Sequence, residues 1–202
     1  ANMGIEILWF DCVDIDGAHV EPGGKIGLMP ILADGIVSFE DYLCGRIKGD
    51  FLLAFRKTAL QGNRFNEKLR AHESLLWLRI HRKHKARYAA KVICNKYAKH
   101  GGEYLTHIDV RLGQLQYTVL ALSQFIDEFG NDLIHLCPSV YGKRLAYLGL
   151  HQMAVNNFAS GRSLILCSLK YRFSMKYVLF YIFSFFIIEK HVINIIRWVE
   201  SQ

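Results

Sequence analysis

Short apolar runs bounded by turn residues mark the first half of the chain, and three-and-four-residue spacing marks the second. Residues 5–10 form a brief apolar run rich in strand formers. Phe51-Leu52-Leu53-Ala54-Phe55 is a second strand-like run, which ends in Arg56-Lys57. The polar group Gln61-Gly62-Asn63-Arg64 reads as a turn, and Pro22-Gly23-Gly24 and Met29-Pro30 punctuate a loop. From Ser74 the period changes. Leu76 and Ile80 fall one helical turn apart with Trp77 beside them, so the pattern predicts a helix with one buried face. Residues 89–97 read as a further strand reaching His100-Gly101-Gly102, and residues 34–43 as a short helix.

Beyond residue 111 the chain reads as helical, with Leu115, Val119, Leu122, Phe125 and Ile126 in step. Residues 141–170 resemble one helical hairpin, faintly similar to a tetratricopeptide unit. A single unit makes no array, so a helical cap is the better description. Residues 177–188 are the most apolar stretch. About a dozen residues fall short of the ~20 that cross a bilayer. Glu189-Lys190-His191 then interrupt the run before residues 192–199. Aromatic residues with flanking Lys176, Lys190 and Arg197 predict a tail lying on a membrane surface, against the competing reading of a buried terminal helix or a protein contact.

Composition narrows the class. The chain has 202 residues, of which 51% are hydrophobic, enough for a core and too many for a disordered chain. Its net charge of +7 suits an anionic partner such as a sugar nucleotide, a nucleic acid or an acidic membrane. The five cysteines are scattered without a Cys-x-x-Cys pair, which predicts packed free thiols in a reducing compartment. The first residues lack the pattern of a signal peptide, and the chain starts without Met almost directly in a strand, as a piece of a longer protein would. The expected location is cytoplasmic, peripheral at the inner face of the membrane.

The ordered pieces Phe55-Arg56-Lys57, Phe65-Asn66-Glu67, Glu73, Leu76-Trp77-Leu78-Arg79-Ile80, Tyr97 and His100-Gly101 resemble the second half of the family 2 glycosyltransferases, inverting nucleotide-sugar enzymes of the GT-A fold. Asn66 stands where the family usually has Asp, and Leu75 where it often has a second acid. The resemblance implies an α/β (α+β) architecture: residues 1–108 as the C-terminal, acceptor-side half of a GT-A-like domain, and residues 109–202 as a helical cap with the apolar tail. It implies transfer of a sugar from a nucleotide-sugar donor to a hydroxyl acceptor, sugar or lipid-linked, in glycan or polysaccharide synthesis. A divalent metal, Mg²⁺ or Mn²⁺, is expected in the complete enzyme. Glu73 becomes the catalytic base, and His100 a residue that helps hold the diphosphate or its metal.

Each of these residues also has a plainer reading. Glu73 opens a helix, where any carboxylate is favoured by the dipole. His100 sits on a glycine loop. Asp14-Ile15-Asp16-Gly17 contains the Asp-x-Asp of GT-A metal sites, yet no Gly-rich loop precedes it, and a hairpin turn is the reading taken. The nucleotide-binding half of the family is thus not found in these residues, and the chain alone is expected to be inactive. His81 and His84 lie in the basic run His81-Arg82-Lys83-His84-Lys85-Ala86-Arg87, where a shared metal would be repelled. The alternative function is a nucleic-acid-binding or regulatory module built on that run. It has only Tyr88 as an aromatic neighbour, so nucleic acid is the less favoured partner.

Overall fold

The computed structural model describes residues 5–14, 25–26, 29–30, 35–48, 51–69, 72–96, 113–186 and 189–200. The chain is a mixed α/β protein and divides into two units. One comprises residues 1–65 and 73–102, the other residues 66–72 and 103–202. The boundary expected at 108/109 lies outside the described residues.

The first unit is organised on a four-stranded mixed sheet. Its strands are β1 (Ile5–Asp14), β4 (Gly35–Val37), β6 (Phe51–Phe55) and β7 (Lys85–Lys96), in the order β4-β7-β1-β6. β1 runs parallel to β7 and antiparallel to β6, with Trp9 opposite both Tyr88 and Leu53. Three two-residue strands, β2 (Lys25–Ile26), β3 (Met29–Pro30) and β5 (Ile47–Lys48), make a second small sheet. Side chains alternate across a strand, so β1 sends Ile7 and Trp9 to one face and Glu6 and Leu8 to the other. Helix α2 (Ser74–Lys83) covers the first face, where Ile7, Trp9, Val37, Ala59, Leu76, Ile80, Ala86 and Tyr88 form the core. The other face remains open: Leu8, Ile36 and Leu52 are exposed.

The strand at 51–55 and the helix from Ser74 stand as the pattern predicts, and the turn at Gln61-Gly62 places Gly62 at φ +78°. The run from residue 5 extends further than expected, to Asp14, and β7 begins at Lys85 rather than at residue 89. The helix expected over residues 34–43 is shorter. Gly35–Val37 pairs with β7 as an edge strand, and helix α1 (Phe39–Leu43) starts only after Ser38. Ser38 ends the strand physically: its Oγ accepts the Asp41 backbone N–H at 3.0 Å, the bond of an N-cap. Asp16 and the glycines of residues 22–24 lie outside the described residues.

The second unit is helical: α3 (Leu115–Leu136), α4 (Pro138–Ala154), α5 (Phe158–Ser168), α6 (Met175–Phe183) and α7 (Glu189–Glu200). The predicted hairpin is α4 and α5. Its turn holds Asn156 at φ +65°, which asparagine tolerates, and the Asn157 side chain caps α5 by accepting from the Ser160 N–H. The hairpin closes on backbone. A Cβ at Gly149 would lie 2.7 Å from the Gly161 carbonyl oxygen, and one at Gly161 would lie 2.6 Å from that of Gly149. Around this crossing Ala146, Leu150, Met153, Ile165, Tyr177, Val192 and Ile196 form a second core. Val192 and Ile196 of α7, within the tail over residues 177–199, are packed inside this core.

The expectation of free thiols also needs correction. Cys44 and Cys137 are each disulfide-bonded, whereas Cys167 is free. Wide spacing in sequence carries no information against pairing in space.

Candidate functional site

The mouth of α2 is where the resemblance places chemistry. Glu73 occupies the N-cap position with helical backbone angles (φ −62°, ψ −19°), and its carbonyl accepts the N–H groups of Leu76 at 3.0 Å and Trp77 at 3.2 Å. Its side chain makes no capping bond and is exposed. The plain account of Glu73 as a capping acid therefore lacks the hydrogen bond that would carry it. What remains is a solvent-facing carboxylate at the positive end of a ten-residue helix.

Beneath it an aromatic group fixes the first turn of α2. Trp77 packs against Phe55 at 5.3 Å and meets Phe65 edge-on at 5.6 Å. Phe65 is half exposed, so this corner offers an aromatic surface in the neighbouring turn of chain. A sugar ring stacks on surfaces of this kind through its apolar face.

The basic run divides in three dimensions. His81 is buried, and both of its nitrogens are committed. The Trp9 indole N–H donates to Nε2 at 2.8 Å, so Nε2 must be the unprotonated nitrogen. Nδ1 then carries the hydrogen and donates to the Trp77 carbonyl at 2.7 Å. Burial holds the ring neutral, its pKa lowered to about 4 in spite of that carbonyl. Tyr42 and Phe51 close the box, with Tyr42 4.7 Å from His81 and Phe51 4.9 Å from Trp9. Burial likewise pushes the Tyr42 phenol up to about 12. His84 turns elsewhere, with Nδ1 2.6 Å from Glu6 Oε2. His81 thus has no nitrogen left for a metal shared with His84. Arg82, Lys83, Lys85 and Arg87 are exposed.

A cavity of about 380 Å³ lies on the sheet, lined by Glu6, Leu8, Ala54, Arg56 and Arg87 among others. Register explains the grouping: Leu8 stands opposite Ala54 and Arg87, and the Arg56 N–H donates to the Glu6 carbonyl at 2.9 Å. Glu6, Arg56 and Arg87 thus line the cavity together with the apolar Leu8, Ala54 and Phe55. The sequence pattern left Glu6 unremarked, although the alternation of β1 places it on the face away from Trp9. Glu73 does not line this cavity.

His100, Tyr97 and Gly101 lie outside the described residues. Among the described residues no three His, Cys, Asp or Glu side chains converge to hold a metal ion. Compared with protein-family models, curated proteins and solved structures, the chain matches none.

Proposed function

We propose that this chain is the acceptor-side part of an inverting glycosyltransferase of GT-A-like fold, with Glu73 as its general base. The observation that carries the reading is the exposed, uncapped Glu73 carboxylate at the mouth of α2. In such a reaction the carboxylate takes the proton of the acceptor hydroxyl as that oxygen attacks the anomeric carbon. The bond from that carbon to the nucleoside diphosphate breaks on the opposite side, and the diphosphate departs with its electron pair. The Phe65–Trp77 surface gives the acceptor something to rest on. A donor-bound metal would supply positive charge for the leaving group in the complete enzyme. The alternative, nucleic-acid binding by the basic run, would rest on the exposed Arg82, Lys83, Lys85 and Arg87, since His81 is buried and His84 pairs with Glu6.

The test is sugar transfer by the complete enzyme with and without Glu73→Gln, assayed with UDP-, GDP- and TDP-sugars. Glutamine keeps the size but cannot accept the proton, so kcat should fall by roughly 10²–10⁴ with donor affinity little changed. Stability should shift by less than about 1 kcal/mol, since no cap bond is lost. A folded variant with normal turnover removes Glu73 from the mechanism.

A further inference from the structure

Charge is distributed very unevenly along this chain. Residues 133–188 contain six Lys and Arg (Lys143, Arg144, Arg162, Lys170, Arg172 and Lys176) and no Asp or Glu. The remainder of the chain is nearly balanced, with 19 basic and 18 acidic residues. The acid-free stretch ends on an apolar surface. Along α6 and the turn after it, Met175, Leu179, Ile182, Phe183 and Phe186 recur at the spacing of one helical face, and all five are exposed, Phe186 by 83%. Phe173, just ahead of the helix, is 73% exposed. The opposite side is committed to the core: Tyr177 is buried, and the buried Ser184 donates its Oγ–H to the Tyr181 carbonyl. The end of α6 is pinned as well. Arg162 stacks 4.6 Å from the centre of the Phe185 ring and donates to the Ser184 carbonyl.

A monomer gains nothing by holding six large apolar side chains in water, and a contiguous patch of this kind marks a contact surface. The occupant follows from the charge. Lys170 and Arg172 stand exposed just before the stripe, and no carboxylate occurs anywhere in the surrounding stretch of sequence to oppose an anionic surface. We propose that the exposed face of α6 docks on an anionic lipid bilayer, with Leu179, Ile182, Phe183 and Phe186 inserted at the headgroup boundary and Lys170 and Arg172 against lipid phosphates. No helix among the described residues is long and apolar enough to cross a membrane, so the contact is superficial. It is placed on α6, because Val192 and Ile196 of α7 are in the core and Ile193 and Ile195 pack against it. It does not depend on sugar transfer.

Co-sedimentation of the whole chain with vesicles of phosphatidylcholine, alone or mixed with phosphatidylglycerol, tests the proposal. The wild type should bind the mixed vesicles and release them as salt is raised. Phe183→Ser with Phe186→Ser should weaken binding about tenfold or more at an unchanged melting temperature, since both side chains are exposed. Lys170→Glu with Arg172→Glu should abolish the preference for the anionic mixture. Leu179→Trp should show blue-shifted emission quenched by brominated lipid. Absence of wild-type binding, or equal binding by the Phe183→Ser/Phe186→Ser variant, overturns the proposal. So does a concentration-dependent self-association that this variant loses while vesicle binding persists, which would make the face a contact with a second copy.

Discussion

The two units solve the burial problem in opposite ways. In the sheet unit, cohesion is concentrated in side chains: Trp9 touches Tyr42, Phe51 and His81 and donates the hydrogen bond that fixes the imidazole. In the helical unit, the closest approach is made by backbone, at Gly149 and Gly161, and the large side chains pack around it. One face of the sheet and one face of α6 are left bare, yet only the second lies in a segment with charge of a single sign. The difference teaches that an aromatic cluster tolerates a polar member when every polar atom is paired, whereas a glycine crossing tolerates no added atom.

Each half of that comparison can be broken separately. The largest effect should come from Trp9→Ala, which removes a buried indole and orphans His81 Nε2. A loss of about 3–5 kcal/mol is expected in urea unfolding. Replacement by Phe, which keeps most of the ring packing, should cost only the unpaired acceptor, about 1–3 kcal/mol.

Acid provides a second probe of the sheet unit. The pKa of His81 in the fold is lowered to about 4 from 6.5, so the unfolded chain binds the proton first as pH falls. Stability linked to His81 is whole above pH 6.5 and drains away between there and about pH 4, by ~3 kcal/mol at most. Unfolding of the wild type and of His81→Gln, compared across that window, isolates the slope. A wild type with no excess slope would mean that the Trp9–His81 bond does not hold the neutral ring.

In the helical unit, Gly161→Ala should cost ~1–3 kcal/mol, because its Cβ would meet the Gly149 carbonyl at 2.6 Å and Met153 Cγ at 2.3 Å. The smallest effect should come from the exposed pairs of Arg46 with Glu40 and Asp41, where Arg46→Ala should shift stability by about 0.5 kcal/mol or less. If it costs as much as Gly161→Ala, surface charge matters more here than packing.

What could be read from the sequence follows the same division. The strand at Phe51–Phe55, helix α2 and the α4–α5 hairpin announce themselves because apolar side chains carry a period. The α1 boundary was visible in principle, since Ser38 with Asp41 three residues on is a start signal that should have overruled a helix from residue 34. His81 was hidden by the lysines and arginines around it, although it lies four residues after Trp77 on the apolar side of the helix. The Gly149–Gly161 contact had no hydrophobic signal to give, because its content is the absence of a side chain. Glu73 was legible as a residue at a helix mouth. Its freedom from a capping bond is a matter of angles, which no pattern of letters encodes.

The glycine crossing also acts as an axial stop between α4 and α5. Sliding one helix past the other by one turn would bring Leu145 or Met153 on one side, or Ile165 on the other, to a contact that has no room for a methyl group. Shear between these two helices by about one 5.4 Å turn is thereby opposed. The pair moves, when it moves, as a single strut, and a load applied at Arg162 and the Ser184 carbonyl is delivered to α4 without slip.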